Sequence, residues 1–298
     1  MEQTVHFYSD GLKLAGTVFT PGKLAKKEKR AGLVIMHGFA GLRTGSTVPV
    51  AKRLAERGYV VLSFDYRGFG GSEGPKWNMV PREQMEDGRN AITYLQQHPN
   101  VDPERIGLYG ASYGGALITY LAATDERPKC LVNVVGVGNG MRWMRAIRRN
   151  WEWEAFREAL AEDRVRRVMT GKSKRVRRPD IIVYDPESQA YYERNMKLHS
   201  DYCRELPLLT GQAVIDFSPD EVAHRITQPA MFIVAEREVE VPHYITREIY
   251  ERVQGPREWV VLKGAQHHEV YLPPHFEPHL SAVEQWFGKY LPAKNKAS

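Results

Sequence analysis

Cysteine is scarce in this chain. Of its 298 residues only Cys130 and Cys203 are cysteines, far apart and without metal-binding or redox spacing, so both read as reduced thiols, Cys130 within a buried strand. Long apolar runs are also missing: none approaches the ~20 residues that span a bilayer. The opening stretch MEQTVHFYSDGLKL has neither the basic segment nor the continuous apolar segment of a secretion signal. The expectation is a cytoplasmic protein with no membrane partner. Internal repeats and low-complexity tracts are lacking too, which argues against a solenoid or a disordered scaffold.

What is present is enough apolar material for a sizeable core, 42% of residues, in one large α/β domain or a core with an insertion. The net charge of +6 and pI near 9.2 raise the question of nucleic acid. The charge is local, however. Between Arg142 and Arg178 stand thirteen Lys or Arg against five Asp or Glu, and the rest of the chain is slightly acidic. No recognised nucleic-acid motif accompanies this stretch, so nucleic acid is not expected. Three uses remain open for it: a solvated face, a contact face in a homodimer, or attraction of an anionic substrate.

In chain order, Val5 to Tyr8 and Leu12 to Phe19 are β-rich runs joined through Ser9-Asp10-Gly11, a hairpin signal. Ala31 to His37 is continuously apolar, as expected of a strand covered on both faces. A helix from about Val48 to Arg57, a strand from Tyr59 to Phe64, a helix from Pro81 to Gln97 and a strand at Ile106 follow. Leu131 to Val137, Ala230 to Ala235 and Trp259 to Leu262 add strands, with helices predicted from about His243 to Val253 and from Leu280 to Tyr290. This alternation predicts a mostly parallel sheet with helices on both faces.

The most informative stretch is RIGLYGASYGGALITYLAAT, Arg105 to Thr124. An apolar strand ends in Gly110-Ala111-Ser112-Tyr113-Gly114, and an apolar helix begins there. Gly-x-Ser-x-Gly in that context holds a serine hydroxyl clear of the sheet on a strained turn. Catalytic groups of such sheets gather at the carboxyl ends of the strands. Three such ends carry suitable residues: Ser112, the run Glu236-Arg237-Glu238-Val239-Glu240, and Gln266-His267-His268. Serine needs a base and the base needs a carboxylate to fix its tautomer, and the order Ser, acid, His is the one this architecture uses.

Residues 1 to 137 and 229 to 291 thus resemble an α/β-hydrolase. HGFAG from His37 resembles the oxyanion loop, DYRGFGGSEG from Asp65 the loop after the next strand, and GASYGG the nucleophile elbow. The resemblance implies an acid four places before Pro242, which selects Glu238 while leaving Glu236 and Glu240 as alternatives. It implies a histidine two places after Ala265, which selects His267 with His268 as alternative. It also implies backbone N–H donors for the oxyanion at Phe39 and Tyr113. His37 reads as packing for the oxyanion loop. The Gly-x-Ser-Tyr-Gly-Gly form is similar to dienelactone-hydrolase-like esterases and to the catalytic domain of prolyl-oligopeptidase-like peptidases.

The expected organisation is a first core part at 1–137, an inserted helical cap at 138–228 and a second core part at 229–298. Trp143, Met144, Ile147, Trp151, Ala155 and Leu160 fall near helical spacing and predict one amphipathic helix, and Glu187 to Arg204 a second. Trp143, Trp151 and Trp153 either line a substrate pocket or hold the cap to the core, with Tyr191, Tyr192 and Met196 as fainter candidates. The reading is a serine hydrolase for an ester or amide, with no metal or cofactor implied. Alternatives are a capped aminopeptidase using Glu152 or Glu154 to hold an ammonium group, a carbon–carbon bond hydrolase, an acyltransferase, and a non-catalytic binding protein.

Overall fold

The computed structural model describes residues 1–25 and 28–294. Strands β1 (Glu2–Ser9) and β2 (Leu12–Phe19) form an antiparallel hairpin. Asp10 and Gly11, at φ 48° and 81°, make its two-residue turn, the geometry that matches the twist of paired strands. Then come β3 (Arg30–Met36), α1 (Val48–Glu56), β4 (Val60–Phe64), α2 (Pro81–Gln96), β5 (Val101–Ala111), α3 (Tyr113–Thr124) and β6 (Pro128–Val134). An insertion follows: α4 (Gly140–Ala146), α5 (Asn150–Thr170), β7 (Arg175–Arg177), α6 (Arg178–Ile181), α7 (Pro186–Leu198), β8 (Glu205–Pro207) and α8 (Leu209–Ile215). The core closes with β9 (Ala230–Ala235), α9 (His243–Arg252), β10 (Arg257–Leu262) and α10 (Phe276–Tyr290).

Eight strands form one sheet in the order β1-β2-β4-β3-β5-β6-β9-β10. Among the described residues of this sheet only the β1–β2 and β2–β4 pairs are antiparallel. Every residue of β3, β4 and β9 is buried, so these strands show no polar alternation. Along β3, Val34 and Met36 face Ile92, Leu95, Leu117 and Leu121 of α2 and α3. Leu33 and Ile35 face Val50, Leu54, Val283 and Phe287 of α1 and α10 on the other side. The period of two thus divides one apolar strand between two cores. Both cysteines are buried free thiols. Among the described residues no helix is long and apolar enough to cross a membrane.

The structure departs from the sequence reading in four places. Strand β6 runs Pro128–Val134, and the chain leaves the sheet at Val135 with φ 44°. Helix α10 starts at Phe276, earlier than Leu280, because Pro278 sits in the first turn, where its missing N–H has no partner to lose. The single amphipathic helix is two. The Asn139 side chain accepts from Arg142 N–H at 3.0 Å to open α4, and Glu152 accepts from Arg149 N–H at 2.7 Å to open α5. The second cap helix ends at Leu198, and the cap also holds an antiparallel ribbon, β7 with β8.

Candidate active site

Strand β5 hands over to α3 at Ser112, whose backbone lies at φ 52°, ψ −118°, a strained conformation for a residue with a side chain. Glycine on either side is forced by space. A Cβ at Gly114 would stand 2.1 Å from the Met36 carbonyl oxygen, and one at Gly110 would stand 2.4 Å from that of Gly114. The turn is fixed from below by Ser112 N–H donating to Val134 O at 2.8 Å.

From β10, the loop beyond Ala265 brings His267 Nε2 to 3.0 Å from Ser112 Oγ. Its Nδ1 lies 2.8 Å from Glu238 Oε2. The other Glu238 oxygen accepts the N–H groups of Glu240 and Val241, both at 2.9 Å. An Nδ1–H donated to Glu238 leaves the Nε2 lone pair facing the serine hydroxyl. Glu236 is not part of this arrangement: it accepts Gly264 N–H at 2.8 Å and ties the two loops together. Nor does His268 reach the serine. Its ring stacks on Tyr191 at 3.9 Å, and its Nε2 lies 3.3 Å from Glu240 Oε2.

Glu240 is what the sequence reading placed least well. It is no rival to Glu238 but a second buried carboxylate, with Oε1 3.9 Å from His267 Nε2. Burial alone would lower the His267 pKa, yet Glu238 and then Glu240 outweigh it and raise the imidazole to about 9. Burial lowers His268, with Glu240 pulling the other way. Burial would likewise raise the Glu240 carboxyl, but the two histidines hold it well below the usual carboxylate range. Nothing in the linear pattern signals this pairing except the two adjacent histidines opposite two carboxylates spaced by one residue.

The loop after β3 passes close over the serine: a Cβ at Gly38 would stand 3.1 Å from Ser112 Cβ. Among the described residues neither Phe39 N–H nor Tyr113 N–H finds an acceptor within the chain. His37 is buried and neutral, pushed down to about 4 by burial. Its ring nitrogens sit 3.0 Å from Thr47 Oγ1 and 3.2 Å from Ser63 Oγ, which locks the base of the loop.

Ser112 and His267 open on a cavity of about 380 Å³, walled by Leu42 and Pro49 from the core side and by Tyr191 and Tyr202 from the cap. None of the three tryptophans lines it. Trp143 is wholly buried behind Phe39 and Tyr113, with Nε1 donating to Glu240 O at 2.7 Å. Trp153 packs on Phe156 inside the cap, and Trp151 is 66% exposed. The pocket reading fails for them because the helix breaks before Trp151 and turns that residue outward. Trp143 instead roots the cap. Glu152 and Glu154 also stand outside the cavity; Glu154 pairs with Arg157 at 3.4 Å.

The family model described as X-Pro dipeptidyl-peptidase (S15 family) matches residues 10–269. The chain belongs to that family. This S15-family chain is 28% identical over 292 residues to the uncharacterized 31.7 kDa protein in the traX-finO intergenic region of Escherichia coli, covering 98% of this chain and 100% of that one. It is 36% identical over 126 residues to thiohydrolase aneE of Aspergillus aculeatus, 42% of this chain and 38% of the relative. The crystal structure of the α/β hydrolase GrgF from Penicillium sp. sh18 superposes with a TM-score of 0.82 at 21% identity, covering 98% and 99% of the two chains. The S15-family chain is therefore an α/β-hydrolase, and its membership places it among enzymes that hydrolyse or transfer acyl groups.

Proposed function

We propose that the chain is a serine hydrolase that cleaves a carboxylic ester, or a thioester of similar shape, through an acyl-enzyme. The observation that carries this is the unbroken line from Glu238 through His267 to Ser112, opening on the cavity. His267 takes the Ser112 proton as Oγ attacks the acyl carbon. The N–H groups of Phe39 and Tyr113 receive the oxygen that becomes negative, a contribution worth about 3 kcal/mol per donor in comparable sites. The leaving alcohol or thiol departs with the proton from His267. Water then attacks the acyl-enzyme, again losing its proton to His267, and Ser112 is restored. An alcohol or amine in place of water makes the same site an acyltransferase. The thiohydrolase name of one relative supports including thioesters.

A peptidase reading draws support from the family description. It would give Glu240, which lines the cavity, the task of holding a substrate ammonium group. The test has two steps. A fluorophosphonate probe is expected to modify the protein at Ser112 and not to modify Ser112→Ala; no modification of the folded protein would remove the hydrolase reading. Parallel rates on p-nitrophenyl esters, acyl thioesters and aminoacyl-prolyl p-nitroanilides then choose the bond. Turnover confined to the anilides would replace the ester reading by the peptidase one.

A further inference from the structure

We propose that Arg178 is the residue of this cavity that selects substrate, by taking a carboxylate carried on the acyl or the leaving part. The inference rests on the hydrolase reading of Ser112 and His267. Arg178 opens helix α6 in the cap, is only 8% exposed, and lines the same cavity as both residues.

Its surroundings are unlike those of the other buried arginines. Arg67 pairs with Asp87 at 2.7 Å, Arg30 with Glu28 at 2.6 Å, and Arg148 gives its N–H groups to the carbonyls of Met144 and Ile181. Among the described residues the Arg178 side chain has no hydrogen-bond acceptor and no carboxylate within ion-pair distance, and its Nε is buried without a partner. Four aromatic rings surround the guanidinium instead: Tyr202 at 5.2 Å, Phe39 and Tyr192 at 5.6 Å, and Tyr184 at 5.9 Å. Ring faces steady the cation without using its N–H donors. A buried charge that keeps its donors unspent is costly unless something fills them.

Two carboxylates line the cavity, and neither does. Glu240 is engaged by His267 and His268, and Asp201 stands with Arg194 and His199 on the cap segment that borders the space. A guanidinium presents a planar fork that fits a carboxylate in two parallel hydrogen bonds. The Phe39 ring under Arg178 belongs to the residue whose N–H is proposed above to receive the oxyanion. Binding a charged end at Arg178 would therefore set the acyl carbon in register with Ser112. The sixteen other Lys or Arg between residues 138 and 228 need not take part.

The experiment compares three esters: mono-p-nitrophenyl glutarate, with the carboxylate on the acyl side; 3-butyryloxybenzoate, with it on the leaving side; and neutral p-nitrophenyl butyrate. Wild-type enzyme is expected to favour one anionic ester over the neutral one by at least about tenfold in kcat/KM, corrected for leaving-group reactivity. Arg178→Gln should erase that preference through KM while leaving the neutral ester within about threefold, and Arg178→Lys should keep part of it. The preference should survive about 0.5 M NaCl, because a buried contact is screened little; loss with salt would assign it to exposed cap residues and overturn the proposal. Equal loss on neutral and anionic esters would also overturn it. Should Arg178→Gln fail to fold, the wild-type protein decides: glutarate is expected to slow fluorophosphonate labelling of Ser112, and glutaramide is not. Equal protection by both would sink Arg178 as a carboxylate site while leaving the hydrolase reading intact. Absent labelling would instead count against that reading, and glutarate binding by calorimetry, present in wild type and lost in Arg178→Gln, would then judge Arg178 alone.

Discussion

Glu236, Glu238 and Glu240 stand on one short loop, and geometry gives each a different task. Glu238 alone touches Nδ1 of His267. Glu238→Gln can donate its amide to the imidazole and favour the wrong tautomer, so kcat is expected to fall by about a thousandfold or more, as in the analogous change of other triads. Glu236→Gln should cost less than about threefold, since it loses only a loop contact. Equal losses from the two would remove the case for Glu238. Glu240 acts through charge. Because Glu238 and Glu240 raise His267 to about 9, activity is expected to climb as pH rises well past the 6.5 of an ordinary histidine, as the proton that would block Nε2 is lost. Glu240→Gln should move that limb back toward neutrality; an unmoved profile would deny Glu240 its influence. The spacing to Pro242 that the hydrolase resemblance implies favours Glu238 in the sequence while leaving Glu236 and Glu240 open, and only the fold brings Glu238 to Nδ1 of His267. The role of Glu240 was hidden, since it depends on where His268 and Tyr191 lie in space.

At the scale of elements, legibility followed burial. Strands β3, β4 and β9 could be read because unbroken apolar runs bounded by turns have few other uses, and the elbow because its glycines answer to contacts near 2 Å. Gly114→Ala is accordingly expected to leave no soluble folded protein, its methyl having no room against Met36 O; a folded, active variant would contradict the packing described here. The cap was harder. Trp143, Ile147 and Trp151 keep helical spacing straight across the break at Ile147–Arg149, so periodicity could not show where α4 ends. What the pattern concealed is that Trp143 joins the inserted segment to the loop of Glu238 and Glu240 through the Glu240 carbonyl. Trp143→Phe keeps the ring against Phe39 and Tyr113 but strands that buried carbonyl. A loss of about 1–3 kcal/mol in urea unfolding is expected, with kcat reduced because the loop also holds Glu238. A stability unchanged from wild type would mean that water or another donor satisfies the carbonyl.

For the molecule as a whole, two buried histidines outside the Ser112–His267–Glu238 group weaken the fold on the acid side. His279 of α10 is buried, with Nδ1 2.9 Å from Val270 O and Nε2 3.0 Å from Tyr109 Oη, and so links the last helix, the loop after His267 and the strand that leads into Ser112. His37 does the same for the loop after β3. Burial pushes both down to about 4. Their unfolded pKa is near 6.5, so between pH 6.5 and 4 the unfolded chain binds more protons than the folded one, and stability falls as pH falls through that window. At pH 5 each histidine would remove about 2 kcal/mol relative to pH 7. His267 works in the opposite sense: raised to about 9, it adds stability that is full below 6.5 and is lost as pH rises from there to 9. The two effects place the greatest stability near pH 6.5 to 7, below the pH at which the His267 imidazole becomes fully neutral. Urea midpoints taken from pH 4.5 to 9 should trace that maximum, and His279→Gln, which cannot titrate, should flatten the acid side by the share of one histidine. An acid side as steep in the variant as in wild type would show that carboxylate protonation, not these two buried rings, governs acid unfolding.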